Sequence, residues 1–163
     1  MTATAGERAY ALILAAGRGS RLRPLTDETP KPMVEVGGHP LIAYGLGLLR
    51  SHGFSEVIVN VHHLRDKVIE ALGDGKRHGL RLRYSIETEL LDTGGGIRRA
   101  ANLVTGGFPP SKPLLVLNAD VISEVPLDRL LDLHEERRAL ATFVLRDDPQ
   151  AHRYGVFGID TSG

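Results

Sequence analysis

The chain has 163 residues, of which 42% are hydrophobic and 25% charged, as in an ordinary globular domain large enough for a real core. Its 20 Lys and Arg residues are balanced by 20 Asp and Glu residues, which argues against a protein that binds nucleic acid or a membrane surface through general positive charge. There is no cysteine, so disulfide bonds and thiolate metal sites are excluded.

The first residues show no secretion signal. They are polar, and the apolar run that follows, Ala11–Ala16, is short. No stretch of the sequence is long and apolar enough to span a membrane. We therefore expect a cytoplasmic protein in which residues 1–8 form a flexible lead-in and residues 9–163 form one folded domain.

The first predicted strand leads into a loop rich in glycine, proline and cations. Ala11–Ala16 is a tightly bounded apolar run, typical of a buried strand. Residues 17–33, which we call the cationic loop, read GRGSRLRPLTDETPKPM. Glycines let the backbone approach a ligand, backbone N–H groups in such turns can hold phosphate oxygens, and prolines stiffen the loop. The pattern predicts a rigid phosphate site at the carboxyl end of the strand, with positive charge from Arg18, Arg21, Arg23 and Lys31.

The cationic loop matches neither of two familiar phosphate-binding motifs. The P-loop pattern G-x-x-x-x-G-K-[ST] is absent. A dinucleotide fingerprint needs a third glycine where this chain has Leu22, and prolines follow where a helix should begin. The loop therefore predicts a phosphate site of another kind.

The rest of the chain alternates predicted strands with predicted helices. Strands are expected at 57–61, 80–84, 114–117, 141–145 and 155–159, and helices at 40–51, 64–72, 97–103 and 127–138. Several strands are continuous apolar runs, which indicates an α/β fold with a mostly parallel sheet covered on both faces. Since ligands bind outside the carboxyl ends of such strands, we expect the cationic loop, residues 87–96 and Asp120 to meet at one edge.

The string L-A-A-G-x-G-x-R-L-x-P-L-T, followed by P-K-P-M, resembles the signature of the sugar-1-phosphate nucleotidyltransferases, the enzymes that make nucleotide sugars. Leu117–Asp120 is similar to the metal-binding aspartate motif of that family. The resemblance implies a Rossmann-like three-layer α/β sandwich with a mostly parallel central sheet, the nucleotide-diphospho-sugar transferase fold, with residues 9–163 as the catalytic domain. It also implies Mg²⁺ as cofactor, an NTP and a sugar 1-phosphate as partners, and a monomer or homodimer.

The motifs resemble two different subfamilies. Leu91–Gly96 is similar to the bacterial enzymes that uridylylate N-acetylmuramate 1-phosphate, whereas Leu117–Val121 and Tyr154–Val156 are similar to mannose-1-phosphate guanylyltransferases. The sugar stays open, and UTP or GTP is favoured as donor, with dTTP behind them. Catalytic domains of this family continue past the sugar-contacting strand. The resemblance therefore also implies that a C-terminal part is missing and that the chain alone binds nucleotide but turns over weakly or not at all.

The resemblance gives each candidate residue a role. Nucleotidyl transfer has an anionic nucleophile, so it needs charge neutralisation, in-line positioning and a divalent metal rather than a general base. As catalytic residues, Arg21 is expected to bind the leaving phosphates, Lys31 the α-phosphate or the sugar phosphate, and Asp120 the Mg²⁺ ion. The nucleotide-binding set is Ala15, Ala16, Gly17, Gly19, Arg21, Glu87, Thr93, Gly94 and Gly95. The sugar-phosphate set is Lys31, Asn118 and Gly155.

Glu87 is the predicted reader of the base. A carboxylate only accepts hydrogen bonds. Uracil and thymine offer N3–H, and guanine offers N1–H and its amino group, whereas adenine and cytosine lack a ring N–H on that edge. Two alternatives stay open: a non-catalytic module that senses a nucleotide or nucleotide sugar, and a cytidylyltransferase for a phospho-alcohol, against which Glu87 argues.

Overall fold

The computed structural model describes residues 3–105, 111–150 and 152. Its strands are β1 (Tyr10–Leu14), β2 (Glu35–Val36), β3 (His39–Pro40), β4 (Glu56–Val61), β5 (Arg81–Ile86) and β6 (Leu114–Asn118). Its helices are α1 (Ala5–Arg8), α2 (Leu25–Glu28), α3 (Leu41–Ser51), α4 (Arg65–Leu72), α5 (Asp92–Thr105) and α6 (Leu127–Glu136). Short 3₁₀ turns lie at Ser20–Leu22, Lys31–Met33 and Lys76–His78. Across these ranges, no helix has the length and hydropathy of a membrane span.

Four strands form one parallel sheet in the order β5-β4-β1-β6. The first of them in the chain, β1, lies inside the sheet, with Leu12 opposite Ile58 of β4 and Val116 of β6. Parallel strands need crossover connections, which α3, α4 and α5 provide in turn. Because all four strands run the same way, their carboxyl ends share one edge.

Helices cover both faces of this sheet. On one face, Ile13 and Val59 belong to a large core that includes residues of α3, α4 and α6. On the other face, Leu12 and Ile58 pack with Ala100 of α5. Strands buried on both faces read as continuous apolar runs, which is the pattern in the sequence. The predicted three-layer α/β sandwich with a parallel central sheet is confirmed.

The N-terminal residues differ from the expected flexible lead-in, at least over residues 4–8. They form the helical turn α1, in which Ala5 is fully buried. The Thr4 N–H donates to Glu7 Oε2 at 2.8 Å, and the Ala5 N–H donates to Asp128 Oδ1 of α6 at 2.7 Å. Arg8 pairs with two acidic residues of α6 as well. The composition of this segment is that of a loose terminus, but these side-chain contacts fix it to the domain.

The strand expected at 141–145 is not formed. Residues 141–148 have no regular secondary structure, and Phe143 and Val144 are 67% and 56% exposed. A strand exists only where its backbone pairs with a neighbour, and residues with β propensity do not form one alone. The strand expected at 155–159 lies outside the described residues.

Candidate active site

A cavity of about 260 Å³ opens at the carboxyl edge of the sheet, beside the ends of β1, β5 and β6. It is lined by Leu14, Ala15, Ala16, Gly17, Lys31, Pro32, Glu87, Leu90, Asp92, Thr93, Asn118, Ala119 and Asp120. The predicted site residues that it brings together are Ala15, Ala16, Gly17, Lys31, Glu87, Thr93, Asn118 and Asp120. The predicted residues outside this lining are Gly19, Arg21, Gly94 and Gly95. Gly155 lies outside the described residues.

The cationic loop folds around a buried threonine. Thr26 is 1% exposed, and its Oγ1 donates to the Gly19 carbonyl at 2.9 Å. Gly19 itself has φ of +65°, and a Cβ there would lie 2.9 Å from the Thr26 methyl group. Only glycine therefore fits this position without strain. Contacts between Thr26 and Gly19 therefore close this part of the loop on itself.

The cationic loop is also fastened to the region of α4. His63 Nε2 lies 3.0 Å from the Thr26 carbonyl, which can only accept, so this nitrogen donates. Lys67 Nζ donates to the Glu28 carbonyl at 2.6 Å. No pattern in the sequence indicates either contact, because both depend on chain segments that meet only in the fold. They join the loop to the segment around α4 at two points.

Arg21 is exposed on the 3₁₀ turn that follows Gly19. Arg18 also lies close by and outside the cavity lining. The structure thus separates the predicted catalytic cations: Lys31 is in the wall, and Arg21 is on the outer part of the same loop.

Lys31 and Asp120 form an ion pair in the cavity wall. Asp120 is positioned because the Ala119 N–H donates to the Leu14 carbonyl at 3.0 Å and continues the β1–β6 ladder one step past β6. The Lys31 side chain is 25% exposed and that of Asp120 is 37% exposed. A cation and a carboxylate that were predicted for one site are therefore in direct contact there.

Glu87 is a buried acid in the wall of the same cavity. It is 1% exposed, and its N–H donates to the Val61 carbonyl at 2.9 Å. Asn60 Nδ2 donates to its Oε1 at 2.8 Å, and the Leu91 N–H donates to its Oε2 at 3.1 Å. Each carboxylate oxygen keeps one further lone pair for another donor.

Asn60 is a site residue that the sequence reasoning missed. It lies in β4 and is 3% exposed. Its Oδ1 accepts the Ala15 N–H at 2.6 Å, while its Nδ2 contacts Glu87. The sequence offers one sign of its role, which is that this amide lies inside the apolar run 57–61. A buried polar group must be hydrogen-bonded, so partners for Asn60 could have been expected.

The start of α5 contributes Asp92 and Thr93 to the cavity, rather than Gly94 and Gly95. Asp92 has φ of +55°, in the left-handed region that a non-glycine residue rarely adopts. Asp and Asn tolerate this conformation better than other residues do. The contact that was predicted for Gly94 and Gly95 stays a prediction.

Three carboxylates line the cavity, those of Glu87, Asp92 and Asp120, and Asp120 is the one predicted for the metal ion. Among the described residues, no group of three or more His, Cys, Asp or Glu side chains is arranged to hold a metal. Mg²⁺ does not need such a cage, because it is commonly bound by one or two carboxylates together with substrate phosphates and water. With Oδ2 paired to Lys31, Asp120 still offers Oδ1, so its donor set fits Mg²⁺ bound in that way.

Comparisons with known sequences agree with the motifs. The sequence profile described as nucleotidyl transferase matches residues 10–163. The N-acetylmuramate alpha-1-phosphate uridylyltransferase of Neisseria meningitidis serogroup B is 46% identical over 116 residues, which cover 71% of this chain and 48% of the relative. The mannose-1-phosphate guanyltransferase of Saccharomyces cerevisiae is 35% identical over 146 residues, which cover 89% of this chain and 40% of the relative. The chain thus spans less than half the length of either relative.

Solved structures share the fold. HddC from Yersinia pseudotuberculosis, in complex with GMP-PN, has a TM-score of 0.67 and 27% identity, covering 77% of this chain and 54% of that one. The CTP:phosphocholine cytidylyltransferase from Streptococcus pneumoniae has a TM-score of 0.53 and 31% identity, covering 69% of this chain and 45% of that one. The names of these similar proteins specify different bases, so the base has to be argued from the residues of the site.

Proposed function

This chain belongs to the nucleotidyl transferase family, and we propose that it transfers a nucleoside monophosphate from an NTP to a sugar 1-phosphate. A phosphate oxygen of the sugar 1-phosphate bonds to the α-phosphorus of the NTP. The bond from that phosphorus to the oxygen bridging the α- and β-phosphates breaks, so an NDP-sugar forms and pyrophosphate leaves. The observation that carries the proposal is the meeting of Lys31 and Asp120 in the wall of one cavity, beside the backbone of Ala15–Gly17.

Charge neutralisation is the main task of the protein in this reaction. Lys31 holds the α-phosphate or the sugar phosphate, and Arg21, on the outer part of the cationic loop, binds the leaving pyrophosphate. Groups of this kind each contribute about 10²–10³ to a rate when they stabilise charge that develops in the transition state. Asp120 would hold Mg²⁺ together with phosphate oxygens, and the ion supplies further neutralisation when bound. Asn118 and Gly155 are proposed for the sugar-phosphate side.

The base is selected by Glu87 in this proposal. Its carboxylate accepts N3–H of uracil or N1–H of guanine, so UTP or GTP is the donor, ahead of dTTP. The names of the Neisseria and Saccharomyces relatives, a uridylyltransferase and a guanyltransferase, agree with these two bases. The remaining contacts to the nucleotide are proposed for Ala15, Ala16, Gly17, Gly19, Thr93, Gly94 and Gly95.

A second candidate is the transfer of a cytidylyl group to a phospho-alcohol. It is favoured by the 31% identity to the Streptococcus pneumoniae enzyme. Glu87 argues against it, because cytosine has no ring N–H for a carboxylate to accept.

We place the protein in the cytoplasm, as a monomer or homodimer.

A calorimetric panel of UTP, GTP, dTTP, CTP and ATP with Mg²⁺ tests the proposal directly. We expect one clear binder among the first three, and weak turnover or none when mannose 1-phosphate or N-acetylmuramate 1-phosphate is added. Tightest binding of CTP would favour the second candidate. If no nucleotide binds, the proposal fails for this chain.

A further inference from the structure

Asn60 is the polar exception in a strand that is otherwise apolar inside the sheet. Val57–Val59 and Val61 are buried on either side of it. A buried amide is costly unless its donors and acceptor are paired. Both of its hydrogen bonds reach the cavity wall, one to Ala15 where the chain enters the cationic loop and one to Glu87 beyond β5. One side chain therefore joins the phosphate side of the cavity to the acid proposed for the base.

We propose that Asn60 is a positioning residue for base recognition. It holds the Glu87 carboxylate in one orientation, and it fixes the distance between that carboxylate and the start of the cationic loop. The inference rests on the proposed function, because Glu87 has a base to read only if a nucleotide binds here.

The polarity of the contact suits this role. N–H donors occupy one lone pair on each Glu87 oxygen, from Asn60 on one side and from Leu91 on the other. A carboxylate held between two donors cannot turn without breaking one of these bonds, and what it offers to a third group is an acceptor. That acceptor matches N3–H of uracil or N1–H of guanine.

Gly96 supplies an independent sign that this contact is built into the fold. A Cβ at Gly96 would lie 2.8 Å from Asn60 Nδ2 and 2.8 Å from Glu87 Oε1. A Cβ at Gly94 would meet nothing within 4 Å. Close packing against the Asn60–Glu87 pair therefore requires a glycine at position 96 but not at position 94.

The test is a double-mutant cycle with Asn60→Asp, Glu87→Gln and the combined variant. Asn60→Asp keeps an acceptor for Ala15 but sets two carboxylate oxygens against each other. The combined variant reverses the polarity of the contact. The introduced glutamine amide can donate to the introduced aspartate and still accept the Leu91 N–H, with the same total charge as the original pair. Nucleotide affinity is measured by calorimetry with UTP, GTP, dTTP and CTP, and folding by thermal unfolding.

We expect Asn60→Asp to weaken binding of the preferred nucleotide by about tenfold or more, as the loss of a hydrogen bond to a charged group does. The combined variant should recover thermal stability that Asn60→Asp loses, because the contact is complementary again. Its nucleotide affinity should stay low, because the Glu87 carboxylate that accepts the ring N–H of the base is gone. Gly96→Ala should weaken binding in the same direction, since its methyl group wedges the pair apart. Gly47→Ala is the matched control, because this exposed helical glycine has nothing within 4 Å of an added Cβ.

The outcomes separate the inference from the proposed function. If the unmodified chain binds none of the four nucleotides, the proposed function fails and the inference fails with it. If it binds, but folded Asn60→Asp binds equally well, only the inference is overturned. If Asn60→Asp does not fold, Gly96→Ala decides: normal binding by that folded variant overturns the inference.

Discussion

Lys31 and Asp120, 89 residues apart in the chain, form an ion pair in the wall of the cavity. Lys31 belongs to the cationic loop, and Asp120 follows the last strand of the sheet, so the pair ties the phosphate side of the site to the strand end. In the proposed reaction the lysine interacts with phosphate and the aspartate with a cation. Each partner therefore changes what the other can bind.

Replacing Lys31 with Met should tighten the binding of a divalent cation. The carboxylate of Asp120 then loses its positive neighbour, and partly exposed ion pairs contribute up to about 1 kcal/mol, or about fivefold in affinity. Mn²⁺ titration followed by electron paramagnetic resonance measures this without any nucleotide. Unchanged Mn²⁺ affinity would show that the metal does not bind at Asp120.

Asp120→Asn should have the opposite effect on the metal. The amide keeps the shape of the side chain but removes its charge, so Mn²⁺ binding in the same titration should become too weak to detect. Asp66→Asn is the control, since the Asp66 side chain is 92% exposed on α4. Retention of metal binding by Asp120→Asn would transfer the metal role to another residue.

Gly19→Ala should destabilise the fold by about 1–2 kcal/mol, because the left-handed backbone there excludes a Cβ. Gly19 has φ of +65°, and the new methyl group would press on Thr26. Gly47→Ala should instead stabilise the protein by about 0.5–1 kcal/mol, as expected for alanine within a helix. Urea unfolding of the two variants measures both effects. Equal stability of the two would contradict the described shape of the cationic loop.

His78 should make the fold less stable in mild acid. Burial, and then the charge of Arg77, lower the pKa of His78 below its ordinary value of 6.5. As the pH falls below that value, the unfolded chain takes up the proton before the folded one does, so the free energy of unfolding decreases until the folded pKa is passed. His78→Gln should remove this part of the loss. Urea unfolding at about pH 7.5 and about pH 5.5 checks it, and an identical pH dependence in the variant would refute it.

The site could be anticipated from the sequence where local pattern decides the structure. The apolar run before Gly17 predicts a strand, and the strand-end rule for parallel sheets then brings Lys31, Glu87 and Asp120 to one edge. The cavity lining bears this out. Those inferences needed only the direction of the strands, which the alternation of strands and helices supplies.

The remainder depends on contacts between distant segments. The side chains of His63 and Lys67 donate hydrogen bonds to backbone carbonyls of the cationic loop, and no spacing in the sequence predicts these contacts. Asn60 is paired because β1, β4 and β5 are neighbours, so its partners are known only from the strand order. The strand predicted at 141–145 is not formed for the same reason. Its composition favours a strand but does not reveal whether a neighbouring strand is there to pair with it.

Arg21→Ala tests whether an exposed cation outside the cavity lining has a role in phosphate binding. The proposal assigns it the leaving pyrophosphate, so calorimetry should show pyrophosphate affinity lowered by about tenfold or more, the effect of losing a hydrogen bond between charged groups. Binding of the nucleoside monophosphate with the same base as the preferred NTP should change little, because Glu87 and the residues around Gly17 stay in place. Arg129→Ala, on the exposed surface of α6, is the control. Equal weakening of both ligands would mean that Arg21 supports the loop rather than the phosphate, and no weakening of either would leave Lys31 as the cation that binds it.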